Sequence, residues 1–89
     1  MPDATETLME FPCEVAIKVM GRNSGDFRRV MIDAIETEIG PVAAERVAER
    51  PSREGHFISL TVTVYVESHD LLRRIYAAMH ATGLVLYAL

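Results

Sequence analysis

Nucleophilic catalysis needs an activated thiol, hydroxyl or amine, and the chain offers one thiol, Cys13, and three imidazoles, His56, His69 and His80. A cysteine becomes reactive when a histidine or a helix N-terminus lowers its pKa. No histidine is near Cys13 in the sequence, and Cys13 shares its alternation with Phe11, Val15, Ile17 and Val19. That pattern assigns it to core packing. Zinc takes three or four ligands, commonly with a pair on one strand or helix face. His69 and His80 share a helix face nominally, but at 1.5 Å rise per residue they lie roughly 16 Å apart, beyond the reach of one ion.

Asp26, Asp33, Glu36 and Glu38 lie on or near one helix. Asp33 and Glu36 are spaced as an acid–base pair would be, yet Arg29 stands four residues before Asp33. A solvated, ion-paired helix face worth a few tenths of a kcal/mol is the plainer account. The residues therefore predict no catalytic group, no metal site and no cofactor.

The segment Gly21-Arg22-Asn23-Ser24-Gly25-Asp26 is the most suggestive one for a ligand. It joins a strand to a helix N-terminus, where free backbone N–H groups can receive a carboxylate or phosphate. Gly21, Asn23, Ser24, Gly25 and Asp26 are the candidate binding residues. The segment matches neither the P-loop nor the GxGxxG fingerprint. A plain turn explains it as well, and both readings stand.

These groups need elements to hold them. Eighty-nine residues, 49% hydrophobic and 25% charged, describe one globular domain with one core. Residues 1–7 carry no periodicity and are read as a flexible lead-in to a single domain over 8–89. Phe11, Cys13, Val15, Ile17 and Val19 alternate with polar residues as a half-buried strand. The Gly21–Gly25 turn formers end it. Phe27, Val30, Met31, Ala34, Ile35 and Ile39 then fall at helical spacing, with Asn23 or Ser24 as cap and Asp26 as a first-turn charge. Gly40-Pro41 stops this helix.

Val42 to Arg50 reads as an irregular, polar edge strand, and Arg50–Gly55 as a loop. Ile58, Leu60, Val62, Val64 and Val66 then point inward on a clean strand whose β-branched residues suit a central position. Ser68 caps a second helix with Leu71, Leu72, Ile75, Ala78 and Met79 as its buried stripe. Thr82-Gly83 stops it, and Leu84–Leu89 forms a last strand. The order is β-α-β-β-α-β. Two right-handed split units give an α+β, ferredoxin-like plait: four antiparallel strands in the order 4-1-3-2, with both helices on one face.

With net charge −4 and arginines interleaved with carboxylates, nucleic acid is not an expected partner. The outer sheet face agrees. Phe57 and Tyr65 are eight residues apart, with Ser59, Thr61 and Thr63 between them, where a base-stacking sheet wants aromatics two apart. No apolar run approaches a membrane span. The N-terminus lacks the basic and apolar regions of a signal peptide. A cytoplasmic setting without membrane contact is expected. The uncharged Leu84–Leu89 edge invites pairing with another chain, so the expected partner is an unknown protein or a second copy, in a homodimer through an edge or through the open sheet face.

Three blocks carry a resemblance: Glu10-Phe11-Pro12, Ile17-Lys18-Val19-Met20-Gly21, and Arg50-Pro51-Ser52-Arg53-Glu54-Gly55-His56-Phe57-Ile58-Ser59. From Leu8 onward the chain resembles the YbeD-like family of small bacterial proteins of unassigned function. The resemblance implies a plait similar to ACT-type regulatory domains. Those bind amino acids or similar effectors at subunit interfaces, with a glycine in the loop before the first helix. Asn23-Ser24-Gly25-Asp26-Phe27 looks like that loop. The family supplies no catalytic residues. The expected function is a non-enzymatic regulatory or protein-interaction module. The alternative is a sensor of amino-acid-like or anionic effectors, using Gly21–Asp26 at a dimer interface.

Overall fold

The computed structural model describes residues 10–89, so the expectation for residues 1–7 lies outside the described residues. Four strands and two main helices follow one another: β1 (Cys13–Arg22), α1 (Phe27–Ile39), β2 (Val47–Pro51), β3 (Phe57–Val66), α2 (His69–Ala81) and β4 (Tyr87–Ala88). A 3-10 turn, Ala44–Arg46, leads into β2. The sheet runs β2-β3-β1-β4 and every pairing is antiparallel. This is the expected order, with the two clean strands in the middle.

The period-two pattern sets the sheet's two faces. Val15, Ile17 and Val19 on β1, and Ile58, Leu60, Val62, Val64 and Val66 on β3, are buried. They join Phe27, Met31 and Ile35 of α1 and Leu72, Ile75 and Met79 of α2 in one core. Burial of a large aliphatic side chain contributes about 1.5–3 kcal/mol, so this single layer carries most of the stabilisation. Cys13 is only partly buried and packs at the margin of the core.

Several boundaries move. Gly21 and Arg22 belong to β1 rather than to a turn, because the β1–β3 ladder continues to Arg22 opposite Phe57. The edge strand predicted over Val42–Arg50 contracts to Val47–Pro51, which is the stretch that pairs with Val62 to Ile58. Pro51 therefore ends a strand instead of starting the loop. At an edge its missing N–H removes no ladder bond.

Neither Asn23 nor Ser24 caps α1. Asp26 occupies the cap position without a side-chain cap bond, and the first turn holds no acidic residue. The Asp26 carboxylate lies instead 3.9 Å from Arg29. In contrast, Ser68 caps α2 as expected, its hydroxyl accepting from Leu71 N–H at 3.1 Å. The last strand keeps only Tyr87–Ala88, extended by Leu86 N–H donating to Met20 O and Leu89 N–H donating to Lys18 O, both at 2.9 Å.

Candidate functional site

The segment Gly21–Asp26 is held from both ends. Gly21 is buried, and a Cβ built on it falls 2.2 Å from Cε1 of Phe27 and 2.7 Å from the carbonyl oxygen of Leu84. Its bare Cα is what lets the Phe27 ring close over β1. Asn23 donates from its backbone N–H to His56 O at 2.9 Å and from Nδ2 to Gly55 O at 3.0 Å. These two bonds tie the entry of α1 to the β2–β3 hairpin. Ser24 N–H turns back to Arg22 O at 2.9 Å, and Gly25 adopts φ +85°, a conformation that favours glycine.

Beside this turn lies a cleft of about 170 Å³ lined by Asn23, Gly25, Phe27, Arg28, Glu49 and Ile58. The one cation lining it, Arg28, is held by Glu49 at 2.6 Å. The structure thus brings Asn23 and Gly25 to one cleft and places Gly21 beneath the Phe27 ring.

Among the described residues, no helix lies over the other face of the sheet. Alternation turns Glu14, Ala16, Lys18, Met20 and Arg22 of β1 outward, and the register sets Met20 opposite Ser59 and Arg22 opposite Phe57. Tyr87 lies beside Met20 on β4, and Arg50 beside Ser59 on β2. One row across the sheet therefore reads Arg50, Ser59, Met20, Tyr87. Met20 is 38% exposed, Phe57 37%, and Tyr65 and Tyr87 58% each, which is unusual for side chains of this size on one face.

Met20, Arg50, Pro51, Ser52, Arg53, Phe57 and Ser59 line a concavity of about 360 Å³ there. The Arg22 guanidinium stands 5.9 Å from the centroid of the Phe57 ring, within cation–π range. Ser52 Oγ accepts from Phe57 N–H at 3.1 Å and Ser59 Oγ donates to Arg50 O at 3.3 Å, so the floor is stiffened by its own hydroxyls. At the far end of the face, Arg46 reaches Glu14 at 2.6 Å.

Sequence reasoning passed over this grouping. The arginines looked interleaved with carboxylates along the chain, but neighbours in sequence alternate between faces on a strand. Sorting charges by strand parity would have put Lys18 and Arg22 together.

Cys13 sits at the start of β1, and His69 stacks on Phe11 with ring centroids 5.8 Å apart. Among the described residues no group of three or more His, Cys, Asp or Glu side chains can hold a metal ion. Among them, too, no helix is long and apolar enough to cross a membrane.

Residues 6–89 match the model of the family described as protein of unknown function (DUF493). The chain belongs to this family. A UPF0250 protein of Paraburkholderia phymatum is 40% identical over 79 residues, covering 89% of each chain. A UPF0250 protein of Janthinobacterium is 37% identical over 87 residues, covering 98% of this chain and 96% of its own. The family resemblance drawn from the three sequence blocks therefore holds. The solution structure of protein HP0495 from H. pylori superposes with a TM-score of 0.72 at 18% identity, over 100% of this chain and 94% of that one. At that identity the likeness concerns the fold, which is the ferredoxin-like plait.

Proposed function

We propose that this protein is a non-enzymatic regulatory module of the cytoplasm that engages a partner protein through its open sheet face. The observation that carries this reading is the exposure of Met20 and Tyr87, neighbours in one row, and of Phe57 in the adjacent row, on a face that no helix among the described residues covers. Interfaces favour such residues at their centres, because large aromatic side chains gain much from desolvation and lose little rotamer entropy, while the flexible methionine thioether adapts to a partner's shape. The two sheet edges offer less. β4 contributes two residues, and β2 is short and ends in proline.

A photo-crosslinking amino acid at Ser59 tests the reading, with Arg73 on α2 as the control site. A discrete adduct from the sheet position alone is the expected result. No adduct, or the same adduct from both positions, counts against it.

The second reading is an anionic effector at Gly21–Asp26. It is favoured by the cleft beside Asn23 and Gly25, which adjoins the N-terminal end of α1. Amino acids or other anions would then raise the melting temperature, and Gly25→Trp would abolish the rise. A flat ligand screen removes this reading.

A further inference from the structure

We infer that the open sheet face docks an acidic segment of a partner protein. In this arrangement carboxylates meet Lys18, Arg22, Arg50 and Arg53, while an apolar side chain lies on Met20 and Phe57. The inference rests on the sheet-face reading above and adds the chemistry of the partner.

The argument starts from charge placement. The chain carries nine Lys and Arg residues. Five of them have a carboxylate within ion-pair range. Arg28 meets Glu49 at 2.6 Å, Arg29 meets Asp33 at 3.5 Å, and Arg46 meets Glu14 at 2.6 Å. Arg73 meets Asp70 at 3.6 Å, and Arg74 meets Glu38 at 3.3 Å. Nine less five leaves Lys18, Arg22, Arg50 and Arg53, which have no such partner among the described residues.

These four are not scattered. Lys18 and Arg22 project from β1 on the open face, and Arg50 and Arg53 line the concavity that holds Met20 and Phe57. A protein of net charge −4 thus keeps its unneutralised cations around one apolar patch. Lys18, Arg22 and Arg50 stand on paired strands and Arg53 in the short turn between β2 and β3; with Arg22 lying over Phe57, this lowers the ordering cost of binding. The guanidinium forks match carboxylates in pairs, and the local positive field steers an acidic segment toward the patch.

Other occupants fit less well. A second copy docked face to face would set four cations against four cations, a like-charge contact that costs several kcal/mol in a symmetric interface. The bases of a polynucleotide would find Phe57 and Tyr65 eight residues apart on β3, roughly 26 Å at strand rise, too far for neighbouring stacks. A short acidic segment places a few carboxylates where the cations are and needs no more.

The test uses a fluorescein-labelled peptide of alternating Asp, Glu, Leu and Phe, its lysine counterpart, and a uridine oligonucleotide. Anisotropy and amide chemical shifts are read on the full chain. The acidic peptide alone should bind, with affinity falling about tenfold between roughly 25 and 250 mM salt. Shifts should gather on residues 16–22 and 50–59. The double variant Arg50→Glu/Arg53→Glu should lose about tenfold in affinity, while Arg73→Glu changes nothing and circular dichroism confirms that both fold.

Failure of the acidic peptide to bind, tighter binding of the oligonucleotide, or shifts confined to the helices would overturn the inference. A partner crosslinked from Ser59 that lacks any acidic segment would also overturn it while leaving the sheet-face reading intact. A chain that gives no adduct from Ser59 would take both down.

Discussion

Gly21 and Phe27 are locked in register: a single added carbon on Gly21 would lie 2.2 Å from Cε1 of the Phe27 ring and 2.7 Å from the Leu84 carbonyl oxygen. Phe27 is 1% exposed and is the first residue of α1, so this contact sets where the helix begins and how it lies on the sheet. The Leu84 oxygen is backbone just before β4. The ring and the carbonyl cannot both retreat from a methyl group without moving an element.

Gly21→Ala is therefore expected to destabilise the domain by about 3 kcal/mol, the upper range for overpacking a tight site. Gly25→Ala meets no atom within 4 Å and pays only for φ +85°, about 1 kcal/mol. Urea denaturation of both variants should rank them in that order. The reverse order would mean that the ring moves aside freely.

Asn23 links two loops that are 32 residues apart in sequence. Asn23→Ala removes the Nδ2 bond to Gly55 but keeps the backbone bond to His56. Both groups can turn to water, so the loss should be about 0.5–1 kcal/mol. Amide exchange should quicken in the hairpin over residues 52–57 and at the start of α1. Unchanged exchange in the hairpin would show that the side-chain bond does not hold the two loops together.

Tyr76 gives the pH dependence a direction. Burial raises its phenol pKa above the ordinary 10.0, because the desolvated site disfavours the phenolate. Its hydroxyl also donates to the carbonyl oxygen of Leu89. A raised folded-state pKa means that the folded chain holds this proton more tightly than the unfolded chain does. The stabilisation is complete below the unfolded pKa of 10.0 and is lost as pH climbs through the folded value. Absorbance titration at alkaline pH should show a late phenolate step that Tyr76→Phe removes. Thermal melts of the variant should be less sensitive to pH above about 10 than those of the parent.

The chemistry of strand alternation made most of the fold legible before any coordinates. Val15, Ile17 and Val19, and Ile58 through Val66, could only bury one face each, and Ser68 and Gly40 marked helix ends through local hydrogen bonding and backbone conformation. The second strand was harder. Val42–Arg50 has few apolar residues, and its true extent depends on where β3 offers partners. The start of α1 departs from its local signal for the same reason, since Asn23 bonds across to Gly55 instead of capping its own helix.

The candidate site divides along the same line. The residues of the first strand–helix segment, the lack of a recognised nucleotide motif and the overall acidic charge are legible along the chain, because all three are local or additive properties. The fold is what sets Gly21 beneath Phe27, and what gathers Lys18, Arg22, Arg50 and Arg53, without a carboxylate partner among the described residues, around Met20 and Phe57. Pairing β3 with β1 and β2 brings together charges that are distant along the chain, while ion pairs with the helices and across the far end of the sheet neutralise the rest. That sorting is a consequence of register and proximity, which one-dimensional spacing does not carry.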